Sequence, residues 1–381
     1  MERIYLDHQA TCPLDERVLS AMSEHLRGPA ANPHSAEHSY GWQAAKAVLE
    51  AKERIAELIG ADADEIIFTS GATEANNLAV LGRSYSDRRK LVVTTIEHKC
   101  VLESARALQS EKGVEICPLE VDPTGEIRLD CMADIVDDET ELVSVIGVHN
   151  EIGTIQPLEK ISDAVKAVGA KLHLDLAQAP TAIDLADIAR LTDTASLSAH
   201  KMYGPMGIGC LYVSRAEQAA LKPQILGGGQ QGGLRSGTVP VALAVGMAAA
   251  AEIVKETPGE RARLRQLNKT LWSGLQSLPC AVELNGPELD YRHPGNLNVS
   301  FSGYDSRDLI AALQPLLAVS TGSACTSGTE EPSYVVRALG HSLERAQAAL
   351  RLSIGRFTSD QEIEAAVANI RKAILQVEIA A

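Results

Sequence analysis

Lys201 has the setting in this chain that best suits covalent chemistry. It follows Ser198, Ala199 and His200, lies behind the apolar run TASLS, and leads into the rigid run YGPMGIG. Most lysines sit on solvated, charged helix faces. One held between an apolar strand and a stiff turn is partly desolvated, so its amine can be neutral and attack a carbonyl to form a Schiff base. Upstream, Asp175 stands at the polar end of the apolar run KLHLD. The end of a parallel strand is where α/β folds keep their ligand sites. A carboxylate there can hold the protonated ring nitrogen of a heterocyclic cofactor and so keep that ring an electron sink. For an aspartate standing alone, capping the next helix is the plainer role.

Three further places carry weaker signals. In FTSGATEANN, Gly71, Ala72 and Thr73 open a helix whose first N–H groups and dipole suit a phosphate dianion, although a capping turn without a ligand reads the same way. His98 closes the strand-like run ending in IEH, where an imidazole can stack on a ring and move protons; a structural histidine is the commoner case. Gly227, Gly229 and Gly232 spell G-x-G-x-x-G, but no acidic residue at a following strand end accompanies them, so the match is coincidental. That loop instead presents Thr238. Among seven cysteines, Cys325 lies in GSACTSG, surrounded by small and polar residues, as a reachable nucleophilic thiol should be. Cys117 and Cys210 lie in apolar strands and Cys12 abuts a proline, which suits inert thiols.

The rest of the chain must position these groups. Its 381 residues suit two domains, and with 45% hydrophobic and 22% charged residues it has the composition of a globular protein with a large core. Aromatics are only 3%, so that core is aliphatic and favours helix-on-sheet packing. A net charge of −15 repels phosphate backbones, which argues against direct nucleic-acid binding. No apolar run is long enough to span a bilayer, and the opening MERIYLDHQA is not a signal peptide. The odd, scattered cysteines form no C-x-x-C pair, which suits reduced thiols in a cytoplasm and no metal site.

Strand-like and helix-like runs alternate from about residue 40 to 250. Val48, Ala51, Ile55, Leu58 and Ile59 share one helical face, and IIFT, LVVTTIEH, VEICPLE, ELVSVIGVHN and KLHLDLAQ read as strands. The alternation predicts an α/β fold with a mostly parallel sheet covered on both faces. One long helical stretch is expected from Thr238 to Gln276. The predicted large domain spans residues 14–257, and residues 1–13 with 258–381 form a smaller α+β domain carrying the Cys325 loop.

Taken together, YLDHQAT, SGATEANN, IEH, NEIG, D-x-A-Q, SAHK-x-YGP, GGGQ, LRSGT, GSACTS, EPS and RLSIGRFT resemble the NifS/IscS family of cysteine desulfurases. These belong to the class V aminotransferase group of fold-type-I enzymes that use pyridoxal 5′-phosphate (PLP). The resemblance implies a large domain with a seven-stranded sheet, a small C-terminal domain and a homodimer. It implies that Lys201 carries PLP as a Schiff base, Asp175 pairs with the ring nitrogen, Gln178 bonds the ring hydroxyl and His98 stacks on the ring as acid and base. Ala72, Thr73, Ser198 and His200 would hold the phosphate, joined by Thr238 of the partner subunit. Asn150 and Arg351 would bind the carboxylate of L-cysteine, and Cys325 would accept its sulfur as a persulfide, leaving alanine. The sulfur would pass to an acceptor protein serving iron–sulfur clusters, tRNA thiolation or sulfur-modified DNA. His149, Leu176, Met206 and Gln231 depart from the family's usual residues. The rival readings are a selenocysteine lyase, which should release little sulfide from cysteine, another class V aminotransferase-type enzyme, to which a loop thiol is of no use if it is a transaminase, and a catalytically dead PLP-binding scaffold.

Overall fold

Strand and helix alternate through the first two thirds of the chain, in a computed structural model that describes residues 3–257, 259–322 and 331–377. The chain opens with β1 (Ile4–Tyr5), α1 (Glu16–Arg27) and α2 (Ser39–Ile59). There follow β2 (Ile66–Thr69), α3 (Ala72–Leu81), β3 (Lys90–Thr94), α4 (Lys99–Lys112), β4 (Glu115–Leu119) and α5 (Leu129–Ile135). Next come β5 (Thr140–Ile146), α6 (Leu158–Ala167), β6 (Lys171–Asp175), α7 (Ile188–Leu191), β7 (Thr194–Ser198), β8 (Gly209–Val213) and α8 (Val241–Glu256).

Seven of these strands form one sheet in the order β2-β8-β7-β6-β5-β3-β4. Only β8 runs against its neighbours, pairing antiparallel with β2 and β7. Strands β2, β5, β7 and β8 are buried along almost their whole length, as strands of a sheet covered on both faces must be. The predicted face of α2 is the buried one: Ala51, Ile55, Leu58 and Ile59 reach the main core, with Val48 packed at its margin. Helix α8 lies against both α1 and α2.

The remaining chain supplies α9 (Glu260–Gln276), β9 (Val282–Leu284), β10 (Asn296–Phe301), α10 (Ser306–Leu313), β11 (Leu317–Ala318), α11 (Tyr334–Ala338), α12 (Leu343–Gln347), β12 (Ala349–Ser353) and α13 (Asp360–Gln376). Strands β12, β10 and β9 make a three-stranded antiparallel sheet, while β1 pairs in parallel with β11. A second core forms here from Leu264, Leu271, Leu297, Phe301, Leu350, Leu352 and Ile370, and Ile4 and Leu6 from the start of the chain are part of it. Val335 of α11 and Leu339, which caps that helix, belong instead to the main core.

Two sequence expectations are corrected. The long helix after Thr238 is two helices, α8 and α9, because the triplet Thr257-Pro258-Gly259 interrupts it: the residue before a proline is driven from the α region. The strand expected to end at His98 ends at Thr94, and His98 is the N-cap of α4, its side chain accepting from the Cys100 amide.

Candidate active site

Asp175 ends β6 and Ser198 ends β7, its neighbour in the sheet, so the fold sets both at one edge of the main sheet. A short 3₁₀ turn, Ala199–Lys201, then turns the chain away from β7. Beside that edge is a cavity of about 830 Å³. Its wall brings together Ala72, Thr73, His98, Asn150, Asp175, Gln178, Ser198, His200, Lys201 and Arg351, all singled out from the sequence. Thr238 is exposed and is not part of this chain's own cavity wall. Cys325 lies outside the described residues.

Asp175 is held by three donors. Its Oδ2 accepts from Asn76 Nδ2 at 2.7 Å, and its Oδ1 accepts from the Ala177 amide at 3.0 Å and Ser196 Oγ at 3.3 Å. Because Asn76 spends its amide nitrogen on Asp175, its Oδ1 faces His173 Nε2 at 3.0 Å, which must therefore donate. His173 Nδ1 then accepts from Thr194 Oγ1 at 2.9 Å. Burial pushes the His173 ring down to about 4, consistent with that neutral tautomer. The carboxylate thus rests on a closed polar chain inside the sheet.

Lys201 Nζ donates to the carbonyls of Gln9 and Ala10, and Gln178 Nε2 donates to the same Gln9 carbonyl at 2.8 Å. The first residues of the chain therefore form part of the site. Gln9 is itself anchored: Asn296 Nδ2 donates to its Oε1, and Arg292, fully buried, donates to Asn296 Oδ1 at 3.2 Å. His200 meets Thr11 Oγ1 at 3.1 Å, and burial, aided by the nearby Lys201 charge, pushes its ring down to about 4. It is a neutral group on the cavity wall.

The donor set fits PLP. Gly71 caps α3 without a side-chain acceptor, leaving the first-turn amides to an anion beside Ser198, whose Oγ would lie 3.9 Å from a Cβ at Gly71. That turn can approach only because β8 has glycine opposite: a Cβ on Gly209 would come within 2.8 Å of Gly71 Cα and 2.5 Å of Leu197 O. A lysine amine, an aligned carboxylate and an anion cradle are the three attachments such a cofactor needs.

At the other end, Arg351 NH1 donates to Asn150 O at 2.8 Å and NH2 pairs with Asp7 Oδ1 at 2.7 Å. Its Nε is buried with no partner among the described residues. The departure His149 has a structural cause. Its Nε2 meets Ile96 O at 2.9 Å and its Nδ1 accepts from the Glu151 amide at 3.0 Å, so the ring pins two segments and burial holds it near 4. Leu176, another departure, is wholly buried in the main core.

Matches to known proteins agree with this arrangement. Residues 4–366 match the family described as Aminotransferase class-V. The chain is 47% identical over 369 residues to the cysteine desulfurase IscS of Rickettsia akari (strain Hartford), covering 96% of this chain and 89% of that one. This chain belongs to the cysteine desulfurases of the class-V aminotransferase family. Its fold is similar to that of a NifS-like protein, with a TM-score of 0.91 and 34% identity over 99% of this chain and 100% of that one. It is also similar to SspA, solved in complex with cysteine, with a TM-score of 0.81 and 33% identity over 93% and 100% of the two chains. The desulfurase is PLP-dependent, and the α/β fold, the seven-stranded sheet and the cofactor expected from the sequence are borne out. The selenocysteine lyase alternative is not favoured. No described helix is long and apolar enough to cross a membrane.

Sequence reasoning did not single out Asn76, His173, Glu97 or Glu151. Two had a readable signal. Asn76 lies one helical turn beyond Ala72, on the same face of α3. His173 lies two residues before Asp175, on the same face of β6. Glu97 is wholly buried beside His98, with Oε1 accepting from Thr94 Oγ1 at 2.7 Å and the Ile146 amide at 2.6 Å, and with Oε2 unpartnered among the described residues. Burial, with Asp175's charge adding, pushes it up to about 8. Nothing in the run IEH reveals that, because the burial comes from the β3–β5 packing.

Proposed function

We propose that the enzyme takes the sulfur of L-cysteine onto Cys325 and releases alanine, using the residues gathered around the cavity. The observation that carries this reading is that one cavity joins Lys201, Asp175, His98 and the substrate-side pair Asn150 and Arg351. Lys201, Asp175, Gln178, Ser198, His200, Ala72 and Thr73 hold the cofactor, which when bound supplies an electron sink for the substrate's α-carbon. Arg351 offers its guanidinium to the substrate carboxylate, where a bidentate grip fixes orientation. In His98, Nδ1 accepts from the Cys100 amide at 3.2 Å, so the neutral ring carries its proton on Nε2 and can hand it on there. Lys201 moves the proton at the α-carbon once its amine is released. Cys325 attacks the substrate sulfur as a thiolate: an S–S bond forms, the C–S bond breaks, and its electron pair stays with the substrate carbon, which is then protonated. Alanine and a Cys325 persulfide result.

The active unit is read as a homodimer in the cytoplasm. Leu226 is 81% exposed, Trp42 and Met206 are also exposed, and Thr238 stands on the exposed turn that follows Leu226. Such apolar surface favours association, and Thr238 then completes the neighbour's phosphate site. The persulfide passes to an acceptor protein, in iron–sulfur cluster assembly, tRNA thiolation or DNA sulfur modification. The reading is tested by incubating the holoenzyme with labelled L-cysteine and locating the label by peptide mass spectrometry. Label on Cys325 with matching alanine supports it; alanine formed with no label on Cys325 overturns it.

A further inference from the structure

The mechanism leaves one buried acid beside the substrate end unused. Glu151 follows the substrate-side Asn150 and is only 2% exposed. Among the described residues its carboxyl has one hydrogen-bond donor, the hydroxyl of Ser333, which also accepts from the Val336 amide as the N-cap of α11. Its Cγ and Cδ lie where a side chain at residue 322 would go: a Cβ on Gly322 would come within 2.5 Å and 2.8 Å of them, and Gly322 has a φ of +84°. Gly322 and Ser333 flank the segment that contains Cys325. The main chain of Glu151 is fastened as well, its carbonyl accepting from Asn296 Nδ2 at 3.0 Å and Asn298 Nδ2 at 3.2 Å, and its amide donating to His149 Nδ1. Glu151 also borders a small cavity of about 20 Å³, shared with His98, Asn150 and Tyr334.

We propose that Glu151 is a positioning residue that links occupancy of the Arg351 carboxylate site to the anchoring of Gly322 and Ser333. This rests on the reading of Arg351 as the carboxylate binder and Cys325 as the sulfur acceptor. The charge that acts on Glu151 from β12 is that of Arg351, which favours the ionised acid. Burial opposes it more strongly and pushes the acid up to about 7, so both forms are within reach. The other groups around it are His149 on its own segment, His98 and Lys99 from the start of α4, and Tyr334 from α11; Asp7 stands on the far side of Arg351. The Ser333 hydroxyl favours the ionised acid as well, and a carboxylate arriving at Arg351 offsets the Arg351 share of that support, so Glu151 takes up a proton more readily. By reciprocity, an ionised Glu151 weakens carboxylate binding. An ionised carboxyl is also the stronger acceptor for the Ser333 hydroxyl. The tie to the residues flanking Cys325 therefore changes with occupancy of the substrate site.

The experiment uses the holoenzyme with L-alanine, which carries the amine and carboxylate but no thiol. Its dissociation constant is read from cofactor absorbance on both sides of pH 7, for the wild type and Glu151→Gln. The wild type should lose affinity relative to Glu151→Gln by at least about five-fold as pH rises from 6 to 8.5. Glu151→Leu keeps the volume but not the acceptor. It should bind L-alanine like the wild type at pH 6, yet form alanine from saturating L-cysteine at least about five-fold more slowly. Parallel pH curves for the wild type and Glu151→Gln overturn the link to substrate binding. An unchanged saturated rate in Glu151→Leu overturns the anchoring. Arg351→Lys is the control: unaltered L-alanine binding there means that the carboxylate-site reading, rather than the role of Glu151, is at fault.

Discussion

The two ends of the cavity differ in how completely their polar groups are paired. At the cofactor floor, both oxygens of Asp175 are occupied, and the chain through Asn76 and His173 ends on Thr194 with each ring nitrogen used. At the substrate end, among the described residues, Arg351 Nε is buried without a partner and Glu151 has a single side-chain donor. A closed network is what a group needs when it must not move between catalytic steps, since reorganisation at the moment of reaction is costly. Open donors serve a binding end, where an incoming carboxylate completes the set. On the proposed reading, the floor is closed by the chain's own residues, and a carboxylate at Arg351 would complete the substrate end.

The largest expected effects break this division outright. Lys201→Ala should abolish the visible absorbance of the bound cofactor and lower turnover by at least about 10⁴-fold, measured by absorbance and alanine release. Cys325→Ser should separate binding from chemistry: cofactor content and the spectral response to L-cysteine stay normal, while alanine and sulfide fall to background. Near-normal alanine from Cys325→Ser would mean another group accepts the sulfur.

A middle pair of substitutions sharpens the contrast. Asp175→Asn keeps the size but removes the charge that the floor is built to present. It should cut kcat by about 10²–10³-fold with little change in KM. Arg351→Lys keeps the charge and loses the fork. It should raise KM for L-cysteine by about ten-fold or more, with a smaller change in kcat. If both variants shift KM and kcat together, the two ends are not separable in function.

The sequence made most of the floor legible and least of the substrate end. Asp175 was readable because it closes an apolar strand, Lys201 because it follows one, and Ala72 because it opens a helix directly after one; strand ends and helix starts are local patterns, whereas Ser198 came only from the family resemblance. His98 was found as a residue but misplaced, since a run of apolar residues does not show where a strand yields to a helix cap. Glu97 and Glu151 were missed for a different reason. Their burial comes from distant segments, Ile146 for one and Ser333 with Gly322 for the other. Arg351 came from the motif RLSIGRFT, but its pairing with Asp7 joins opposite ends of the chain and leaves no periodic trace.

The smallest effect should be on stability, and it asks whether the floor's closure extends one layer deeper. Glu97 has one oxygen satisfied by two donors and the other buried without a partner. Burial raises it from an ordinary carboxyl value of 4.5 to about 8 in the folded protein. A group whose proton is held more tightly when folded contributes stability that is fully present below its unfolded value and is lost as pH climbs through the folded one. The window for Glu97 therefore runs from about 4.5 to 8. Glu97→Gln keeps the shape of the protonated acid, can still donate from one end and accept at the other, and cannot ionise. It should match the wild type in denaturant unfolding near pH 5. By pH 8.5 it should be the more stable protein, by on the order of 4 kcal/mol. Glu151 titrates in both proteins, so its contribution cancels in the difference between the two curves. A constant offset across the whole pH range would mean that Glu97 is ionised throughout. The floor would then carry a second buried charge beside Asp175, and the closed network would end at Asn76.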